Sequence, residues 1–262
     1  MGIDRFAALA AQRQEVLDYC DDLTAAEWAM PSRAAGWRVQ DVVAHFAAET
    51  KVLFGPTIIG VMASKDIEAT NEDVLEGWRD LAPERVLDEF AKWSSRLITL
   101  VKVSTRGPFG AIPVPLANLG RYPARLLPSV FVFDWHIHLE HDIAPAVGRP
   151  VPPIDEQRMA AIVEWMLAGL EQMNRDDLGW FDKPVALTLA GPAGGAWQIA
   201  PRGGGKLSVT PGRGDTPVAR IAGNTLDFPV WSTTREPWRD HDLTIVGDRD
   251  YATRFLDAVN II

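Results

Sequence analysis

Cysteine is nearly missing from this chain: Cys20 is the only one. Intrachain disulfides are therefore impossible, and a reducing cytoplasm is the natural setting. No apolar run approaches the roughly 20 residues needed to cross a bilayer. The first residues, Met1-Gly-Ile-Asp-Arg-Phe6, lack a basic stretch followed by an apolar core, so no signal peptide is expected. Positive charge is in deficit, with 26 Lys and Arg against 35 Asp and Glu, a formal charge of −9. That argues against nucleic acid or an anionic membrane as the main partner. No Ser/His/Asp order, dinucleotide fingerprint, zinc-finger spacing, repeat or heptad is present. Gly203-Gly-Gly205 has no Walker spacing and no helix behind it, so it reads as a hairpin turn rather than a phosphate loop.

What is present fits a soluble globular protein. At 262 residues the chain is long enough for one large domain or two ordinary ones. Apolar residues recur at helical period over 3–23, about 38–54, about 83–103 and about 124–143, with a further helix over about 154–174. Thr24 stands three residues before Glu27, a capping-box spacing for a short helical turn. Pro83 suits the first position of the third long helix, whose stripe reads Val86, Leu87, Phe90, Trp93, Leu97 and Leu100. Residues 55–82 are mixed, and 105–120, rich in Gly and Pro, read as a loop. After about residue 178 the texture changes. Short strands at 185–189, 197–200, 206–210, 218–221 and 243–246 alternate with turns, with helices at 225–233 and 251–259. The expected fold is thus a helical region over 1–177 followed by a small α+β domain over 178–262.

Histidine is scarce as well, and its placement is informative. Three of the five fall in Asp134-Trp-His-Ile-His-Leu-Glu-His-Asp-Ile143, an apolar helix with acids set into it. At about 100° per residue, taking Asp134 as zero, His138 lies about 40° round, His141 about −20° and Asp142 about 80°. Asp134 and His138 therefore place two metal-ligand types one turn apart on one face. His141 is a rival on that face, and His136 points the other way. The residues alone leave two readings open: a buried, hydrogen-bonded structural pair, or part of a metal centre in a helical bundle. Two such ligands rarely hold an ion alone, and His45, inside the apolar helix Val42-Val-Ala-His-Phe46, is the candidate third. His45 alone is equally a core histidine. Asp41 and Glu49 flank it at one helical turn on either side, as candidates to orient its ring or as a solvated row. Cys20 lies among apolar residues and reads as core rather than nucleophile. Trp37, Trp93, Trp135 and Trp197 read as core or pocket wall. Arg121 and Arg125, at the start of the fourth helix, could meet an anionic substrate or simply be solvated.

Three patches resemble the mycothiol-dependent maleylpyruvate isomerase family, within the DinB-like four-helix-bundle proteins. Ser32-Arg-Ala-Ala-Gly-Trp-Arg-Val-Gln-Asp-Val-Val-Ala-His45 is similar to the family's Gly-Trp-x-x-x-Asp-x-x-x-His entry into its second helix. The stretch from Asp134 to Ile143 is similar to its acid-x-x-x-His-x-x-x-Asp fourth helix. Ala222-Gly-Asn-Thr-Leu-Asp-Phe-Pro-Val-Trp-Ser-Thr-Thr-Arg235, with Gly247-Asp248, is similar to its small sterol-carrier-like C-terminal domain. The resemblance implies a DinB-like bundle and a divalent metal, zinc or else nickel, on His45, Asp134 and His138, with one position open. Mycothiol would be the thiol cosubstrate and a small electrophilic molecule the substrate, of an isomerase or transferase, in a cytoplasmic monomer or homodimer. In one departure, the family's acid is typically a glutamate, and Asp134 is one methylene shorter. A hydrolase would use the same ligands without a thiol. A non-enzymatic protein would instead bind an apolar ligand in its C-terminal domain.

Overall fold

Side-chain patterning of the helical region is resolved in a computed structural model, which describes residues 2–261 apart from the side chain of Glu68. The chain divides into two units, one running to Ile154 and one from Asp155 onward.

In the first unit, α1 (Arg5–Asp21) begins where the Asp4 carboxylate accepts from the backbone N–H groups of Phe6 and Ala7. The short α2 (Ala25–Trp28) starts at the Thr24/Glu27 capping box. Next comes α3 (Val39–Val52), whose first turn is held by Asp41 accepting from the Arg38 backbone N–H at 2.8 Å. The region 55–82, mixed in sequence, holds α4 (Ile58–Met62) and α5 (Ile67–Glu76). Pro83 opens α6 (Pro83–Ser104) as expected. Its buried face is Val86, Phe90, Leu97 and Val101, while Leu100 is 39% exposed and Trp93 half-buried. The stripe is rotated from the sequence reading because Ser94 turns inward, its hydroxyl accepting from Arg13 Nε at 2.8 Å on α1.

The segment 105–120 is more than a loop. It carries β1 (Pro113–Leu116), which pairs antiparallel with β2 (Gly120–Pro123). Two prolines in β1 and one at the end of β2 remove ladder donors, so the sequence disguises this hairpin. The fourth long helix is also not uniform. It begins as α7 (Leu127–His138), with Pro128 tolerated in the first turn. It widens into a π-helical turn over Leu139–Ile143 and ends in α8 (Ala144–Val147). Helix α1 packs on α6 and α7, and α3 packs on α5, α6 and the π-helical turn.

The second unit starts with α9 (Glu156–Leu170), capped by Asp155. A five-stranded sheet follows, built from β3 (Val185–Ala190), β4 (Gly195–Gly203), β5 (Lys206–Pro211), β6 (Ala219–Asn224) and β7 (Thr244–Gly247). Its order is β5-β4-β3-β6-β7, with β3 and β6 parallel and the other pairs antiparallel. The helices α10 (Phe228–Ser232) and α11 (Arg249–Ala258) complete it. Pro229 does not break α10, because it falls in the first turn. The division between units lies ahead of the change in texture at 177/178, since α9 packs on α10 and β5. A helical region followed by an α+β domain is the fold class the sequence predicts.

Gly203 pairs with Lys206, so Gly204 and Gly205 form a two-residue hairpin turn with φ of 61° and 71°. A Cβ on Gly204 would meet open space, whereas one on Gly205 would lie 1.7 Å from the Arg175 carbonyl oxygen. Gly204→Ala should cost about 1 kcal/mol of stability, from backbone strain alone. Gly205→Ala should cost about 3 kcal/mol or more, because the overlap adds to the strain. Urea unfolding of the two variants checks the ranking, and equal costs would contradict it.

Candidate metal centre

The run from Val39 to Ala48 on α3 is buried on every side, which draws His45 into the interior. Asp134 and His138 reach the same point from α7, one helical turn apart. One donor atom from each of the three residues lies within 4.8 Å of the others, and no other such group of three or more occurs among the described residues. His45 Nε2 stands 3.6 Å from Asp134 Oδ2, and His138 Nε2 stands 3.8 Å from Asp134 Oδ1. Both separations are too long for good hydrogen bonds. They are close to the roughly 3.4 Å between two donors that each sit about 2.1 Å from one tetrahedral ion. Two imidazole nitrogens and a carboxylate form a donor set suited to zinc or a neighbouring divalent ion, so these residues fit the group that the resemblance implies.

His138 is oriented from behind. Its Nδ1 is 2.6 Å from Asp142 Oδ2, which leaves Nε2 turned toward Asp134. A carboxylate behind a ligating imidazole fixes ring and tautomer and raises basicity. The π-helical turn explains why Asp142 reaches this nitrogen and His141 stays out of the cluster. A widened turn advances fewer degrees per residue than the regular wheel, so Asp142 swings back over His138 and His141 swings off the stripe.

The flanking acids of α3 do other work than orienting His45. Burial pushes the Asp41 carboxyl up, but hydrogen bonds from the Arg38 side chain and backbone outweigh it and leave the group below its ordinary value. Glu49 accepts from Trp135 Nε1 at 2.7 Å. Burial, the Asp134 charge and a hydrogen bond to Asp134 together push its carboxyl well above the usual carboxylate range. The Trp135–Glu49 bond was not legible in sequence, although Glu49 and Trp135 each stand within four residues of a candidate ligand.

Aromatic rings wall the cluster. The Trp37 ring centre lies 5.3 Å from that of His45, and 6.2 Å from that of His138 with planes only 18° apart. Phe46 lies 5.9 Å from His138. The side chains of Asp134 and His138 keep 21% and 15% exposure against 6% for His45, so the centre is open on the α7 side. Elsewhere, His136 is buried, and Arg121 and Arg125 are exposed. Cys20 is buried in α1, and burial pushes its thiol up, as expected of a core residue.

Residues 9–102 match the family model described as the mycothiol maleylpyruvate isomerase N-terminal domain. That is the family the sequence resembles. Two solved structures share the fold: the mycothiol-dependent maleylpyruvate isomerase, and a histidine-to-alanine mutant of it. They align with TM-scores of 0.57 and 0.58, at 15% identity, over 92% of this chain and 91% of theirs. At that identity the likeness establishes the fold, across both units. No curated protein matches the chain.

The raised Glu49 carboxyl gives the metal-free protein a definite pH dependence. Between the unfolded and folded pKa values, the folded state holds a proton that the unfolded state has lost. Stability therefore falls as pH rises above the ordinary glutamate range. Glu49→Gln removes the titrating group and should stabilise the metal-free protein at pH 7 but not near pH 4. Denaturant unfolding at both values checks it, and a loss of stability at pH 7 would contradict it.

Proposed function

We propose that the chain is a divalent-metal-dependent, thiol-dependent isomerase or transferase that acts on a small electrophilic molecule. His45 and His138, each through Nε2, and Asp134 through its carboxylate would hold the ion, zinc or else nickel. The reading is carried by one observation, the convergence of those three donors within 4.8 Å at the end of a His138–Asp142 hydrogen bond. Three protein ligands with an open position are the pattern of a catalytic rather than a structural site, in which the ion brings a coordinated water or thiol to a near-neutral pKa.

The matched family and both similar structures carry mycothiol and maleylpyruvate in their names. We extend mycothiol to this chain as its cosubstrate. The thiol would be borrowed because the protein has none to offer: its single sulfhydryl, Cys20, is buried in α1. Asp142 holds the proton on His138 Nδ1 and so keeps Nε2 as the donor facing the centre. Trp37 and Phe46 would wall one side, and the part-exposed edge of Asp134 and His138 is where a small molecule would enter. Whether the thiol returns free, as in an isomerase, or leaves on the product, as in a transferase, depends on the substrate's other groups. No helix is long and apolar enough to cross a membrane among the described residues. A reducing cytoplasm would suit both a one-cysteine chain and a free-thiol cosubstrate.

The test is metal content and turnover measured together. Purified protein should carry about one zinc or nickel per chain, and His45→Ala and His138→Ala should each lose most of it. Turnover of maleylpyruvate or a related electrophile should require mycothiol and fall at least about 100-fold in either variant. Turnover of a hydrolysable substrate without any thiol would replace this reading with a metal-dependent hydrolase. A wild-type protein that takes up no metal would overturn it in favour of non-enzymatic binding of a small apolar ligand.

A further inference from the structure

We propose that Trp37 and Glu72 are a positioning pair that holds both imidazoles of the centre in their ligating orientation. The proposal rests on the metal reading above.

Trp37 precedes α3 and lies across the site rather than in the core. Its ring centre lies 5.3 Å from that of His45 and, nearly parallel, 6.2 Å from that of His138, so one indole faces a histidine on each of the two helices. The two imidazoles stand only 5.5 Å apart, edge to face. The indole thus limits the room in which either imidazole can turn. The indole is itself tethered, since its Nε1 donates to the Glu72 carboxylate on α5.

The other bonds around Glu72 mark this as a built arrangement. Arg79 Nη2 donates to Glu72 at 2.6 Å. The Arg79 carbonyl accepts from Arg38 Nη2 at 2.9 Å, and the Leu81 carbonyl accepts from Gln40 Nε2. Leu75 and Trp78 are buried, anchoring the same segment from below. The stretch from α5 to Leu81 is thus a strap, fastened to the first turn of α3, that presents Glu72 to Trp37.

The magnitudes separate positioning from mere stability. Glu72 and Arg79 are 49% and 40% exposed, and an exposed ion pair adds little to stability. A group hydrogen-bonded to a metal ligand, by contrast, commonly changes metal affinity about 10–100-fold when removed, and the lower end of that range is the scale for a pair that acts by ring packing. The pair should therefore act on the centre and barely on the fold.

The experiment compares Trp37→Ala, Glu72→Ala and Glu72→Gln with the wild type, in the full chain. Zinc affinity is measured by competition with a chelator, the visible bands of the cobalt(II)-loaded protein report ligand geometry, and thermal unfolding of the metal-free form reports the fold. Trp37→Ala and Glu72→Ala should each weaken zinc binding about tenfold or more and shift the cobalt bands. Glu72→Gln keeps an acceptor for the indole N–H and should restore both. Metal-free melting of Glu72→Ala should match the wild type. Should Trp37→Ala not fold, the exposed Glu72→Ala decides alone. Wild-type affinity and an unchanged cobalt spectrum in Glu72→Ala overturn the positioning role and leave the metal reading intact. A wild type that takes up neither zinc nor cobalt overturns both.

Discussion

His45 has almost no water around it, and its Nε2 and that of His138 look at the same carboxylate from 3.6 and 3.8 Å. Polar groups removed from water cost free energy unless they are satisfied, and much of this region is arranged around that requirement. Asp142 takes one nitrogen of His138, Trp135 takes one oxygen of Glu49, and Arg38 takes Asp41. Beside these bonds, two imidazole nitrogens and the Asp134 carboxylate, which also bonds Glu49, converge on one point. A divalent ion there would take one donor from each of the three residues and offset the negative charge that presses on Glu49.

The local backbone makes this convergence workable. A regular helix through residues 134–147 would put His141 on the stripe with Asp134 and push Asp142 to its side. The π-helical turn at Leu139–Ile143 exchanges them, so the second acid serves His138 and the third histidine is kept away. The adjoining loop is tied to the same turn: the Arg33 backbone N–H donates to the Asp142 carbonyl at 3.0 Å. That loop leads directly to Trp37 and α3, so a backbone hydrogen bond ties the entry to α3 to the turn that carries Asp142.

Much of this was legible in the sequence where the signal is periodic. The long helices, the Thr24/Glu27 cap, Pro83 at a helix start and the glycine turn before Lys206 all follow from local rules. Asp134 and His138 stand out because two polar residues at i and i+4 interrupt an apolar helix, and His45 because it sits alone in another. What was hidden depends on tertiary choice. Prolines mask the β1–β2 hairpin, since an edge strand can spare the donors they lack. The π-helical turn has no periodic signature of its own, so the wheel kept His141 as a rival to His138. Glu49 read as either a support for His45 or part of a solvated row, but burial and the facing Asp134 and Trp135 give it another role. Glu72 carries no sequence mark of its contact with Trp37, 35 residues away.

The central claim is the composition of the metal shell, and X-ray absorption at the zinc edge of the loaded protein tests it most directly. The account predicts only nitrogen and oxygen neighbours at about 2.0–2.1 Å, with the multiple-scattering pattern of two imidazoles. Substituting either His45 or His138 should reduce that pattern to one. Three imidazoles, which would bring His141 or His136 into the shell, a protein sulfur ligand, or a wild-type spectrum in the His45 variant would contradict it.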